Sequence, residues 1–187
     1  MDLAHETIVA FASELGWMSM RMRDEVILQL TFGHESSELA IQAIAKGRTA
    51  SRKLGSGQRE VVSQLQQYAR GIPVDFSVIT IDLGPATEFT SRVLNACRRI
   101  SYGETLTYGE LARAAGGPGA ARAVGNCMAC NRVPLIIPCH RVVRAGGQVG
   151  PYSAAGGSAT KRRLLEMEGA LHFLGSPRQE LASWARL

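Results

Sequence analysis

Ile137-Pro138-Cys139-His140-Arg141-Val142-Val143 is the stretch on which the reading turns. It ends a largely apolar run, Val133 to Val143, whose prolines at 134 and 138 prevent it from being a plain central strand or helix. A bend there would present the Cys139 thiol. Nucleophilic chemistry needs the thiolate, and a free cysteine with a pKa of about 8.5 is scarcely ionised at neutral pH, so a base must lie close. His140 is adjacent, yet successive side chains on an extended segment point to opposite faces. A bridging water is the easier route between the two. A carboxylate behind the ring would orient it and stabilise its protonated form, and Glu166 and Glu168 are the nearby candidates. Two residues are about 200° apart on a helix, so only one of them can face the histidine.

Upstream of this run, Thr87 caps a helix with Phe89, Val93, Leu94 and Cys97 apolar, and the cations Arg98 and Arg99 suit its C-terminal end. Ser101-Tyr102-Gly103 reads as a turn, Tyr108–Ala115 as a short helix closed by Gly116-Gly117-Pro118, and Ala120–Cys130 as a helix rich in small residues. Ala145–Gly157 is a glycine-rich loop, and Lys161–Glu168 a helix stopped by Gly169.

The N-terminal part has a different texture. Trp17–Phe32 alternates around Arg23-Asp24-Glu25, with Met18, Met20 and Met22 on one arm and Val26, Leu28, Leu30 and Phe32 on the other, which predicts a β-hairpin. A helix follows with Leu39, Ile41, Ile44 and Ala45 apolar. Ser51–Gly57 reads as a basic loop, Gln58–Arg70 as a second helix, and Pro73–Leu83 as a strand ending at Gly84-Pro85. A boundary near residue 85 therefore separates an α+β N-terminal part from a mostly helical C-terminal part.

The 187 residues include 21 Lys+Arg against 16 Asp+Glu, a formal charge of +5 that suits a polyanionic partner without requiring one. No apolar run approaches the roughly 20 residues needed to cross a bilayer, and the opening Met1-Asp2 with His5 and Glu6 lacks the order of a signal peptide. Four cysteines are too few to frame a secreted fold of this size, so a reducing cytoplasm is expected. Cys127-Met128-Ala129-Cys130 has zinc spacing but no second pair, and the two thiols are expected to be packing residues with no metal or other cofactor.

The segments Leu106-Thr107-Tyr108-Gly109-Glu110-Leu111-Ala112, Ala121-Arg122-Ala123-Val124-Gly125, Asn131, Pro138-Cys139-His140-Arg141-Val142-Val143, and Lys161 through Leu164-Leu165 to Glu168-Gly169 resemble the O6-alkylguanine–DNA alkyltransferases, the methylated-DNA–protein-cysteine methyltransferases. The resemblance runs from about Phe89 to Gly169; the N-terminal part matches loosely. It implies an α+β fold: a small N-terminal α/β (RNase H-like) domain over 1–85 and a mostly helical, winged-helix-like DNA-binding and catalytic domain over 86–187. It also implies a cytoplasmic protein (nuclear in a eukaryote), acting as a monomer on double-stranded DNA that contains O6-alkylguanine.

Residue by residue, the resemblance makes Cys139 the alkyl acceptor, His140 the water-bridged base, Glu168 the carboxylate that orients it and Asn131 the brace of the turn. Arg122 resembles the arginine that fills the space of an extruded nucleotide, with Ala121, Ala123 and Gly125 small enough to let their helix sit deep in the minor groove. Tyr108 resembles the tyrosine that helps rotate the nucleotide and donates to guanine N3. Met128, Val142, Tyr152 and Ser153 are implied to line the lesion pocket, the Val142 carbonyl accepting from the guanine amino group.

Arg132 departs from the family's usual proline and adds a cation for a phosphate. The segment after Ser153 is slightly longer than the commonest form, so it bears on alkyl size, with methyl the expectation. The implied reaction is stoichiometric repair of O6-methylguanine, and of O4-methylthymine. The alternatives are a non-catalytic binder of alkylated DNA, the alkyltransferase half of an adaptive-response regulator, and a cysteine protease. Cys139 itself argues against the first, and the lack of a cysteine cluster near the start against the second.

Overall fold

The structure, a computed structural model, describes residues 6–45, 47 and 54–173. Ser51–Lys53 of the expected basic loop, and the expected domain ends at 1–5 and 174–187, lie outside them. The chain divides into two compact units: residues 1–85 with 132–136 and 154–156, and residues 86–131, 137–153 and 157–187.

In the first unit, β1 (Glu6–Phe11), β2 (Trp17–Arg23) and β3 (Val26–His34) form an antiparallel sheet in the order β1-β2-β3. The expected hairpin is β2–β3. Arg23 pairs with Val26, and Asp24 in the two-residue loop takes φ 53, a left-handed conformation that aspartate tolerates better than most residues. The regular alternation expected along β3 breaks at a bulge: Met20 pairs with Leu30 but Met22 with Ile27, so Leu28 drops out of the register. At Gly16, a Cβ would come within 2.9 Å of the His34 carbonyl oxygen, so the turn into β2 requires glycine.

The helix α1 (Ser37–Ala45) sets Ile44 and Ala45, with Ile41 beside them, against Ile8. Ile8 pairs with Arg21, so the helix covers the sheet face that carries Arg21, and β2 is buried on both sides. The polar groups trapped there find partners: Ser19 Oγ donates to the Val9 carbonyl at 3.0 Å, and Arg21 lies 3.7 Å from Glu6. The helix α2 (Ser56–Ala69) buries Val62, Leu65 and Tyr68, the last against Phe76 at 5.7 Å between ring centroids.

The strand expected over Pro73–Leu83 is not formed. Asp75 accepts from the Ser77 backbone and hydroxyl at 2.8 and 2.9 Å, and this turn bends the chain away. Only a single bridge joins Ile81 to Ile27, flanked by Ile27 N–Thr80 O and Asp82 N–Ile27 O bonds of 3.0 and 2.9 Å. Arg132 belongs to this unit as well: its carbonyl accepts from Leu30 N at 2.9 Å, and its guanidinium lies beside Gly84.

The second unit holds α3 (Glu88–Arg98), β4 (Leu106–Thr107), α4 (Tyr108–Ala114), α5 (Ala121–Ala129), β5 (Val142–Val143) and α6 (Gly157–Met167). Thr87 caps α3 by accepting from Thr90 N at 3.2 Å. Thr107 and Glu110 form a reciprocal cap on α4, with bonds of 3.1 and 2.6 Å. The parallel pairing of β4 with β5 sets Leu106 opposite Val142, which brings the start of α4 to the segment that follows Cys139. No helix among the described residues is long and apolar enough to cross a membrane.

Candidate active site

Cys139, His140 and Arg141 form one tight 3-10 turn, closed by a 2.8 Å bond from Arg141 N to the Pro138 carbonyl. Pro138 thus makes the bend that the apolar run alone would not. All three side chains are buried, Cys139 to 3% exposure. Asn131, two residues past α5, reaches across with one amide group, donating to the Ile137 carbonyl at 2.8 Å and to Cys139 Sγ at 3.0 Å. It therefore fixes both the turn and the sulfur.

Burial pushes the Cys139 thiol above its ordinary value, against the Asn131 bond, the Lys161 charge and a hydrogen bond from Tyr152. The resting group is a thiol, and its proton must be taken as it reacts. Burial in turn lowers His140, against the hydrogen bond and charge of Glu168, which keeps the ring a neutral acceptor near pH 7. His140 Nε2 lies 2.9 Å from Glu168 Oε1.

The carboxylate behind the histidine is thus Glu168, just beyond α6; Glu166, the other candidate, is exposed. Glu168 also takes Arg141 Nε and Nη2 at 2.9 and 2.8 Å and Gly103 N at 3.3 Å. Burial alone would raise its carboxyl, but the bonds and charges of His140 and Arg141 outweigh that and hold it well below the usual range. Arg141 closes the network on the Ile100 carbonyl at 2.6 Å.

Sulfur chemistry needs access, and a cavity of about 180 Å3 supplies it. Cys139 lines it together with Tyr108, Gly125, Met128, Pro151, Tyr152 and Ser153. The slightly longer segment after Ser153 contributes no residue to this lining, and its Ala154–Gly156 belong to the first unit. Burial, then the nearby Cys139, raises the Tyr108 hydroxyl, so it stays a proton donor.

The Val142 carbonyl accepts from Lys161 Nζ at 2.5 Å. Lys161 is itself buried, and that burial pushes its ammonium down to about 8. Neither Lys161 nor Arg141 received a role from sequence, although a cation inside an apolar run is expensive unless paired, a signal that could have found Arg141. Arg122 stands exposed in the first turn of α5 beside Ala121 and Ala123, away from the sulfur network. Of the C-x-x-C pair only Cys127 is packed, at 3.7 Å from the Thr90 hydroxyl; Cys130 is exposed, against expectation, because it caps the end of α5.

The family described as 6-O-methylguanine DNA methyltransferase, DNA binding domain, matches residues 88–170. A methylated-DNA–protein-cysteine methyltransferase of Mycolicibacterium paratuberculosis is 36% identical over 156 residues, 83% of this chain and 88% of that protein. The namesake of Methanothermobacter thermautotrophicus is 41% identical over 59% of this chain and 61% of its own length. That of Mycobacterium leprae is 49% identical over 58% and 64%. With these two the matched stretch spans less than two thirds of the relative.

Among solved structures, the O6-methylguanine methyltransferase of Mycobacterium tuberculosis superposes with a TM-score of 0.72 at 32% identity, covering 94% of this chain and 97% of that one. A complex of the tuberculosis protein with DNA gives 0.72 at 34%, covering 88% and 94%. Likeness of this extent, through both units, means that the chain belongs to the methylated-DNA–protein-cysteine methyltransferase family.

Proposed function

We propose that the protein repairs DNA by moving the alkyl group of O6-methylguanine, and of O4-methylthymine, onto Cys139 Sγ, once per molecule. One observation carries this reading: the Cys139 sulfur, held by Asn131 at 3.0 Å, opens onto a cavity of alkyl-and-base scale beside a buried His140–Glu168 pair.

The proton of the thiol passes to His140, through a water that joins the sulfur to the imidazole, and Glu168 steadies the resulting cation. The sulfur attacks the alkyl carbon; the S–C bond forms as the C–O6 bond breaks, and the guanine leaves with the electron pair. Tyr108 donates toward N3, so the base does not depart as a free anion. The Val142 carbonyl, with a second lone pair beyond the one Lys161 uses, accepts from the guanine amino group. The thioether does not hydrolyse, so turnover ends there.

A base inside a duplex is out of reach, so the nucleotide must be extruded, at a cost of a few kcal/mol. Arg122, exposed on α5, is assigned the vacated space, and the small Ala121, Ala123 and Gly125 the close approach to the minor groove. Met128, Tyr152 and Ser153 enclose the flipped base. We read α4, the Gly116–Ala120 turn and α5 as the helix-turn-helix of a winged-helix-like domain over 86–187. The sheet with α1 is read as an RNase H-like domain over 1–85. Double-stranded DNA is the partner, and the protein acts as a monomer in the cytoplasm.

The test is mass spectrometry after incubation with duplex DNA carrying labelled O6-methylguanine. One equivalent of label on the Cys139 peptide is expected. Product beyond one equivalent, or repair by a Cys139→Ser protein, defeats the reading.

A further inference from the structure

A second cavity, of about 600 Å3, shares Pro151 with the alkyl-acceptor cavity and is lined by Arg144, Arg162 and Arg163 against the single carboxylate of Glu166. We infer that it seats a phosphate of the DNA strand that carries the extruded nucleotide, an inference that rests on the repair reading above.

The cations stand on a tied frame. Ser158, Arg162 and Glu166 repeat every four residues and so share one face of α6, with Arg163 beside them. Arg144 begins a turn closed by its own N–H on the Gln148 carbonyl at 2.9 Å. Gly150 then lies against the Arg144 stem: with φ at 75 and a Cβ only 3.3 Å from Arg144 Cγ, another residue would press it aside. Ser158 Oγ donates to the Gly150 carbonyl at 3.0 Å, which fastens this loop to the first turn of α6.

The chemistry selects an oxyanion. Guanidinium forks match phosphate oxygens, and the α6 N-terminus adds partial positive charge at the same end. Glu166 lies two turns along the helix and repels an anion there, so the phosphate seats toward Arg144 and Ser158. Position selects its source. Pro151 is the wall common to both cavities, so a base held against Cys139 brings its own backbone to the neighbouring one.

The experiment measures binding of a lesion-bearing duplex by fluorescence anisotropy across a salt series. It compares the native protein with Arg162→Ala/Arg163→Ala and with the charge-matched Arg59→Ala/Arg70→Ala on α2 and its C-cap. Losing these contacts should flatten the slope of log K against log salt by about 1 for each phosphate no longer met. The α2 variant should keep the native slope. Equal flattening in both variants means that net charge alone acts and overturns the inference. So does a native slope in the α6 variant, and inorganic phosphate bound by the native protein but not by that variant would then make the site one for the free ion.

Transfer of the labelled methyl group from the lesion-bearing duplex to Cys139 of the native protein separates the two claims. Labelled native protein with an unaltered α6-variant slope removes only the phosphate seat. Native protein that takes no label removes the repair reading and this inference with it.

Discussion

Arg141 and Glu168, 27 residues apart in sequence, are joined by two buried hydrogen bonds of 2.9 and 2.8 Å, and the same carboxylate holds His140. Two neighbouring residues of one turn thus hang on a single anion. That arrangement makes the turn rigid and also makes it vulnerable.

Removing one member leaves a buried charge without its counterpart. Arg141→Ala should destabilise the fold by about 3–5 kcal/mol, as breaking a buried pair does, measured by urea unfolding. A loss below about 1 kcal/mol, the range of exposed pairs, would mean the network contributes little.

Acid should weaken the fold in two stages. Glu168 sits below its ordinary 4.5 when folded, so its contribution is complete above that value and drains as pH falls toward the folded one. His140 is lowered from 6.5, so the unfolded chain binds its proton first and stability begins to fall below about that pH. Chemical denaturation from pH 7 to pH 3, below the window in which Lys161 titrates, should show a decline beginning near 6.5. His140→Asn should diminish that decline, to which His34, also lowered by burial, adds the rest. An undiminished decline in the variant would assign it to another group.

Asn131 opposes the rise that burial imposes on the sulfur. Asn131→Ala should therefore move the pH profile of Cys139 alkylation by iodoacetamide upward and slow the reaction at pH 7. An unmoved profile with intact folding would confine Asn131 to bracing the turn.

Arg122 touches nothing in the sulfur network, so its loss should separate substrates. Arg122→Ala should weaken repair of duplex DNA far more than labelling by free O6-benzylguanine. Parallel losses would remove the base-displacement role.

Tyr108→Phe keeps the ring and deletes the donor. Single-turnover transfer should slow by about 10²–10⁴-fold, the usual worth of a positioned acid, with duplex affinity nearly unchanged. A rate within threefold of native would give the proton another source.

Much of the site was legible because its residues follow local rules. Thr87 announces its helix through its own hydroxyl, and Pro138 announces the bend at Cys139. Helical angle allowed only one of Glu166 and Glu168 to face the histidine, and the family resemblance chose Glu168. Long-range bonds were not legible. That Arg141 meets Glu168, or that Lys161 meets the Val142 carbonyl, depends on how β5 and α6 come together. In the N-terminal part, β1 runs two polar residues and then Ile8-Val9-Ala10-Phe11 apolar in a row, and so shows no period of two. The Leu28 bulge and the Asp75 turn arise from pairing and side-chain bonds that alternation does not encode.

The sharing of short segments between the two units bears on how the gene could be trimmed. A fragment starting at residue 86 would still include 132–136, a segment grouped with the first unit whose Val133, Leu135 and Ile136 are at most 1% exposed. Leu135 is there held at φ 73, which a branched side chain adopts only under constraint. Stripped of residues 1–85, that fragment would carry a greasy, unsupported elbow a few residues before its nucleophile. Its failure would show as precipitation and a wandering thiol.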